Sequence, residues 1–148
     1  FGAFNPPPFR VNVATLRSCG GHVHIGFESD KFDRDRWALV KACDITLGVP
    51  SLFLDNDERR RNLYGNAGCF RPTPYGVEYR VLSNFWLRTK ELTSWVYDEV
   101  IKAAELASSL SEKEFLEIKD TVVQAINFNN KDAASYIMSR YEITCPSM

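Results

Sequence analysis

The chain changes character once, near residue 83. Beyond it the apolar residues recur at helical spacing, and every stretch with strand character lies before it. Ser83-Asn84 is a cap for a helix reaching about Leu110, and Ser111-Glu112-Lys113-Glu114 is a capping box for a second, to about Asn127. A short third helix follows Asn130. Strands early and helices late give an α+β fold. At 148 residues the chain has the length of one domain and can bury a core without disulfide or metal staples.

The earlier half supplies the strands. "HVHIGFE" (22–28) alternates polar and apolar side chains and ends near Glu28-Ser29-Asp30, and "VEYRVL" (77–82) is the second strand. Between them, "DRDRWALVKACDITL" (33–47) sets Trp37, Val40, Ala42, Ile45 and Leu47 roughly at helical spacing. Gly48-Val49-Pro50 then breaks or kinks that helix, because proline has no N–H to donate. Residues 55–76, with glycines at 65, 68 and 76 and prolines at 72 and 74, read as a long ordered loop rich in Arg, Tyr and Asp. Irregular segments of that length inside a compact domain are functional or disordered. Pro6-Pro7-Pro8 sets an extended, polyproline-like opening.

Charge and cysteine usage narrow the partners. Eighteen basic against nineteen acidic residues leave a formal charge of -1, which provides no bulk attraction for nucleic acid or an anionic membrane. Only a local basic cluster remains for binding phosphate. Cys19, Cys43, Cys69 and Cys145 are widely spaced, with no C-x-x-C pair to make a zinc ribbon. With no signal segment and no apolar run of about 18 residues, reduced thiols in a cytoplasm are expected. The chain opens "FGAFNPPPF", without a methionine, as a processed product or a piece of a longer protein would.

Both histidines of the chain, His22 and His24, stand one residue apart in "RSCGGHVHIGFE". Alternation along a strand puts them on one face, with Val23 and Ile25 on the other. The same rule puts Glu78 and Arg80 on one face of the second strand, opposite Val77, Tyr79 and Val81. If the strands pair, two imidazoles, a carboxylate and a guanidinium share one polar surface. Imidazole and carboxylate suit a divalent metal, and a fixed guanidinium suits phosphate or carboxylate. Plainer readings stand beside this one: a solvent-facing H-x-H pair, a solvated Glu78/Arg80 face, a surface cluster at Arg59-Arg60-Arg61, and small buried hydrophobes at Cys19 and Cys69.

Taken together, "RSCGGHVHIGF" and "DNDERRRNLYGNAGCFRPTPYGVEYRVLSNFWL" (55–87) resemble the phage-type carboxylate–amine ligases of the glutamine synthetase and gamma-glutamylcysteine ligase superfamily. The resemblance runs from about Arg17 to Leu87. It implies an antiparallel sheet with one polar, active-site face and helices on the other. It also implies ATP-dependent amide formation through an acyl phosphate, with Mg or Mn. In that family a G-x-H-x-H strand carries a metal-binding histidine and a second histidine near the nucleotide phosphates, which His22 and His24 match. An E-x-R strand carries a metal-binding glutamate and a substrate- or phosphate-binding arginine, which Glu78 and Arg80 match. Arg71 best fits the phosphate-binding arginine of the preceding loop, followed by Arg60 and Arg61. Tyr64, Tyr75 and Asn84 lie within the block without an implied role.

The family also uses carboxylates on strands before the H-x-H strand, and this sequence has no acidic residue before Glu28. The expectation is therefore the C-terminal part of a longer catalytic domain, inactive alone, or a site completed by another chain in an oligomer. A carboxylate and an amine, as small molecules or peptides, are the expected substrates, in a cytoplasm (the host's, for a phage protein). Two other classes compete. One is a non-catalytic binding or assembly module that keeps the ligase scaffold. The other is a cupin-like barrel, for which "HVHIGFE" fits part of the first motif, or an H-x-H amidohydrolase; both need further histidines that the chain lacks.

Overall fold

The structure is a computed structural model and describes residues 20–28, 32–56, 60–61 and 64–146. The expected polyproline opening, Arg17, Cys19, Ser29, Asp30 and Arg59 lie outside these residues. Three strands form one antiparallel sheet: β1 (Val23–Gly26), β2 (Phe70–Thr73) and β3 (Gly76–Tyr79), in the order β1-β3-β2. The helices are α1 (Phe32–Cys43), the short α2 (Ser51–Leu54), α3 (Lys90–Ser109), α4 (Glu112–Phe128) and α5 (Lys131–Arg140). The α+β class and the helical C-terminal part are as the sequence leads one to expect.

β2 is an addition to the expected pair of strands. Pro72 and Pro74 disguise it, yet a proline is tolerated where it need not donate to a neighbouring strand. β2 pairs only with β3 among the described residues, so Pro72 costs the sheet nothing on its outer side. Thr73 and Gly76 pair across the turn, so residues 70–79 form a tight hairpin inside the segment that reads as loop.

The expected break at Gly48-Val49-Pro50 is softer than a stop. After Cys43 the helix widens into a π turn over Asp44–Gly48, closed by Val49 N–H donating to Asp44 C=O at 2.8 Å. The chain then re-enters helix at Ser51, whose hydroxyl donates to the Gly48 carbonyl at 2.6 Å. Helical residues Asp33–Leu54 are together long and apolar enough to cross a membrane, but 78% of the apolar stretch is buried within the fold, as in a core helix. Val40, Ile45, Leu47 and Leu52 from this run meet Val77 and Tyr79 of β3, and Ile118, Val122, Ile126 and Ile137 of the C-terminal helices, in one core.

The C-terminal helices begin where hydrogen-bonding side chains stand. Ser83-Asn84 instead precedes a single 3-10 turn, Phe85–Leu87: Asn84 is its N-cap residue without a side-chain cap bond, and Ser83 Oγ accepts from Phe85 N–H at 3.2 Å. α3 starts later, with Thr89 Oγ1 accepting from Leu92 N–H. The capping box is present at both ends: Glu114 N–H donates to Ser111 Oγ and Ser111 N–H donates to Glu114 Oε2. Asn130 caps α5 through two backbone N–H groups, those of Asp132 and Ala133.

Candidate active site

The sheet register fixes the site. His24 on β1 and Arg71 on β2 both stand opposite Glu78 on β3, so the three form one row across the sheet. Val23 and Phe70 stand opposite Tyr79 in the adjacent row, whose Tyr79 turns into the core. The period of two thus separates a polar face from an apolar one.

Glu78 is the centre of the polar face, and its side chain is only 3% exposed. His22 Nδ1 lies 2.7 Å from Glu78 Oε1, and Arg80 Nε lies 3.6 Å from the same oxygen. Arg71 Nε forms an ion pair with Oε2, without the alignment of a hydrogen bond, and Oε2 is buried with none. Burial pushes the Glu78 carboxyl up, but the His22 hydrogen bond and the Arg71 charge outweigh it and hold the group below the ordinary carboxylate range. His22 moves down from its ordinary value of 6.5, chiefly because burial disfavours the imidazolium, with the Arg80 charge adding to it. A neutral imidazole beside an ionised carboxylate is the protonation state a cation requires.

An aromatic layer backs these groups. Tyr64 stacks on His22 with ring centroids 6.3 Å apart, and the guanidinium groups of Arg80 and Arg60 lie 5.2 and 5.7 Å from its ring centre. On the other histidine, Tyr75 stacks at 6.4 Å and its hydroxyl is 2.9 Å from His24 Nδ1. Sequence reasoning left Tyr64 and Tyr75 without roles. The hairpin that carries Tyr75 to His24 is visible only once β2 is recognised, and no pattern marks Tyr64 apart from its place in the Arg- and Tyr-rich segment.

His22, His24, Arg71, Glu78 and Arg80 therefore come together; Arg60 borders them across the Tyr64 ring, and Arg61 is engaged elsewhere. Arg60 donates to the carbonyls of Val81 and Leu82 at 3.1 and 2.7 Å, fixing the chain that follows β3. Arg61 is buried, donating to Ser51 Oγ at 3.2 Å and pairing with Asp55 at 3.7 Å. Cys43 and Cys69 are buried small side chains, and the Cys43 thiol is pushed up by burial.

Three features suit a cation and an anionic ligand. Glu78 Oε2 is a buried acceptor, and Arg80 Nε a buried donor, neither with a hydrogen bond among the described residues. A Cβ at position 20 would fall 2.5 Å from His22 Nε2, so glycine there keeps space beside that nitrogen. Among the described residues no group of three or more His, Cys, Asp or Glu side chains converges; the face offers one histidine–carboxylate pair.

No curated protein and no solved structure shows a significant match to the chain. A family model, phage phiEco32-like COOH.NH2 ligase-type 2, matches residues 14–140. That span begins before the H-x-H strand and closes at the last residue of α5. The chain belongs to this phage-type family of carboxylate–amine, amide-bond-forming ligases.

Proposed function

We propose that the protein is an ATP-dependent carboxylate–amine ligase working through an acyl phosphate, with Mg or Mn, in a cytoplasm. The observation that carries this reading is Glu78, a buried carboxylate ringed by His22, Arg71 and Arg80 and aligned with His24. His22 and Glu78 would hold the divalent ion, which when bound supplies positive charge to the polyphosphate. His24 and Arg71 would bind phosphate oxygens, and Arg80 the region where the acyl phosphate forms.

The chemistry asks for positioned charge rather than a covalent catalyst. A substrate carboxylate oxygen attacks the γ-phosphorus, making a carbonyl-O–P bond as the bond to the β-phosphate oxygen breaks and ADP leaves. The amine nitrogen then attacks the carbonyl, the C–O bond to phosphate breaks, and the amine loses a proton. In both steps charge builds on oxygen, which Arg71 and Arg80 would stabilise. The buried Arg80 Nε, ion-paired with Glu78 but without a hydrogen bond, is a donor that a ligand oxygen would satisfy.

Trapping with hydroxylamine tests the proposal. The protein is incubated with ATP, Mg or Mn and a panel of amino-acid and short-peptide carboxylates. Hydroxamate that depends on ATP, metal and one class of carboxylate is expected, falling at least about 100-fold in Arg80→Ala, the cost of one lost electrostatic contact. Nucleotide binding without hydroxamate from any carboxylate would instead favour a binding or assembly module on the same scaffold. That second reading draws on the single histidine–carboxylate pair among the described residues.

A further inference from the structure

The two histidines on β1 are chemically distinguished by what holds Nδ1. His22 Nδ1 faces Glu78 Oε1 at 2.7 Å, and an ionised carboxylate can only accept, so Nδ1 carries the proton and Nε2 keeps its lone pair. His24 Nδ1 faces the Tyr75 hydroxyl at 2.9 Å; either group can donate, but the phenol is the stronger acid and the imidazole nitrogen the stronger base, which favours donation by Tyr75. Whichever nitrogen is engaged decides what the other offers a ligand.

Tyr75 is held in place for this contact although its side chain is half exposed. It lies in the turn between β2 and β3, and its carbonyl accepts from Phe27 N–H at 3.0 Å, which ties the turn to the end of β1. Arg36 of α1 donates to the carbonyls of Thr73 and Gly76, on either side of it, at 3.3 and 3.2 Å. A turn fastened from both directions keeps the hydroxyl at His24 without burying the ring.

We infer that Tyr75 is a positioning residue: its hydroxyl donates to His24 Nδ1 and fixes His24 as the Nε2–H donor for an anionic, phosphate-type oxygen, while His22, whose Nδ1 faces Glu78, takes the opposite tautomer. The part concerning phosphate rests on the ligase reading; the tautomers do not. One strand therefore carries two histidines of opposite tautomer two residues apart, and the difference between them comes from a glutamate and a tyrosine on the hairpin.

Long-range proton–nitrogen correlation spectra of the full chain, with labelled histidine at about pH 8 where imidazoles are ordinarily neutral, read both tautomers directly. With two histidines in the chain, His24→Gln assigns the signals. The expected result is His22 protonated on Nδ1 and His24 on Nε2. Tyr75→Phe keeps the ring, so His22 signals and Tm should hold while His24 becomes a mixture of tautomers. Inorganic tripolyphosphate, used as the probe, should shift the His24 signals of the parent and bind about tenfold more weakly to Tyr75→Phe. The same tautomer on both histidines, or a His24 tautomer unmoved by Tyr75→Phe, would overturn the inference. Opposite tautomers with no response to tripolyphosphate would count against the nucleotide reading and leave the hold of Tyr75 on His24 standing.

Discussion

Glu78 and Asp44 are buried carboxyl groups that their surroundings treat oppositely. Glu78 is kept ionised by His22 and arginines; Asp44, fully buried below the sheet, is pushed from 3.8 up to about 7 by burial, only partly offset by the Tyr79 hydroxyl at 2.8 Å. For Asp44 the folded state holds its proton more tightly than the unfolded chain. Its contribution to stability is therefore full below about pH 4 and is lost as pH rises to about 7, a change on the order of 4 kcal/mol. Urea unfolding of the parent and Asp44→Asn across this range should give a difference curve with that slope, and a flat difference would contradict it. Glu78 has the reverse sign: it stabilises above the ordinary carboxylate range and loses that contribution as pH falls through its lowered value. Glu78→Gln should remove this acid-side loss in the same unfolding series and weaken metal–nucleotide binding at least about tenfold. The row His24–Glu78–Arg71 was legible in part, since His24 and Glu78 follow from strand alternation and Arg71 only from resemblance. Asp44 was not legible, because an acidic residue in a helical stripe does not reveal that its face is core.

At the scale of elements, the π turn and the capping motifs make the sharpest claims. A Cβ at Gly48 would lie 2.7 Å from Tyr79 Oη and 2.8 Å from Ile126 Cδ1, so glycine there lets the π turn pack between β3 and α4. Gly48→Ala should push Tyr79 off Asp44 and cost about 1–3 kcal/mol, measured by chemical unfolding. Ser111→Ala breaks the capping box and should cost about 1 kcal/mol, with helix content otherwise kept by circular dichroism. The capping signals of α4 and α5 were readable because they are local hydrogen-bond chemistry. The start of α3 was misplaced by one short turn, because Ser83-Asn84 leads into a 3-10 turn and the side chain that caps the long helix is Thr89. β2 was missed because proline argues against a strand only when its neighbours need its N–H.

For the whole molecule, the sheet and the helical part divide the work. Helices α1 and α3–α5 supply most of the core, and the three strands spend one face on that core and the other on the polar candidate site. The family match spans both parts, so the helical part belongs to the ligase unit as much as the sheet does. Family resemblance was legible in the sequence because the residues that define the polar face are concentrated in two short blocks. The tyrosines that contact its histidines were not, since Tyr75 reaches His24 only once the hairpin folds back on β1 and nothing in the sequence sets Tyr64 against His22. The central claim is that this face holds a metal–nucleotide through His22 and Glu78. Its most direct test is calorimetric titration of Mn with a non-hydrolysable ATP analogue into the parent and His22→Ala. Metal-dependent binding by the parent, weakened at least about tenfold in the variant, is the predicted result; binding that His22→Ala leaves unchanged would contradict the account.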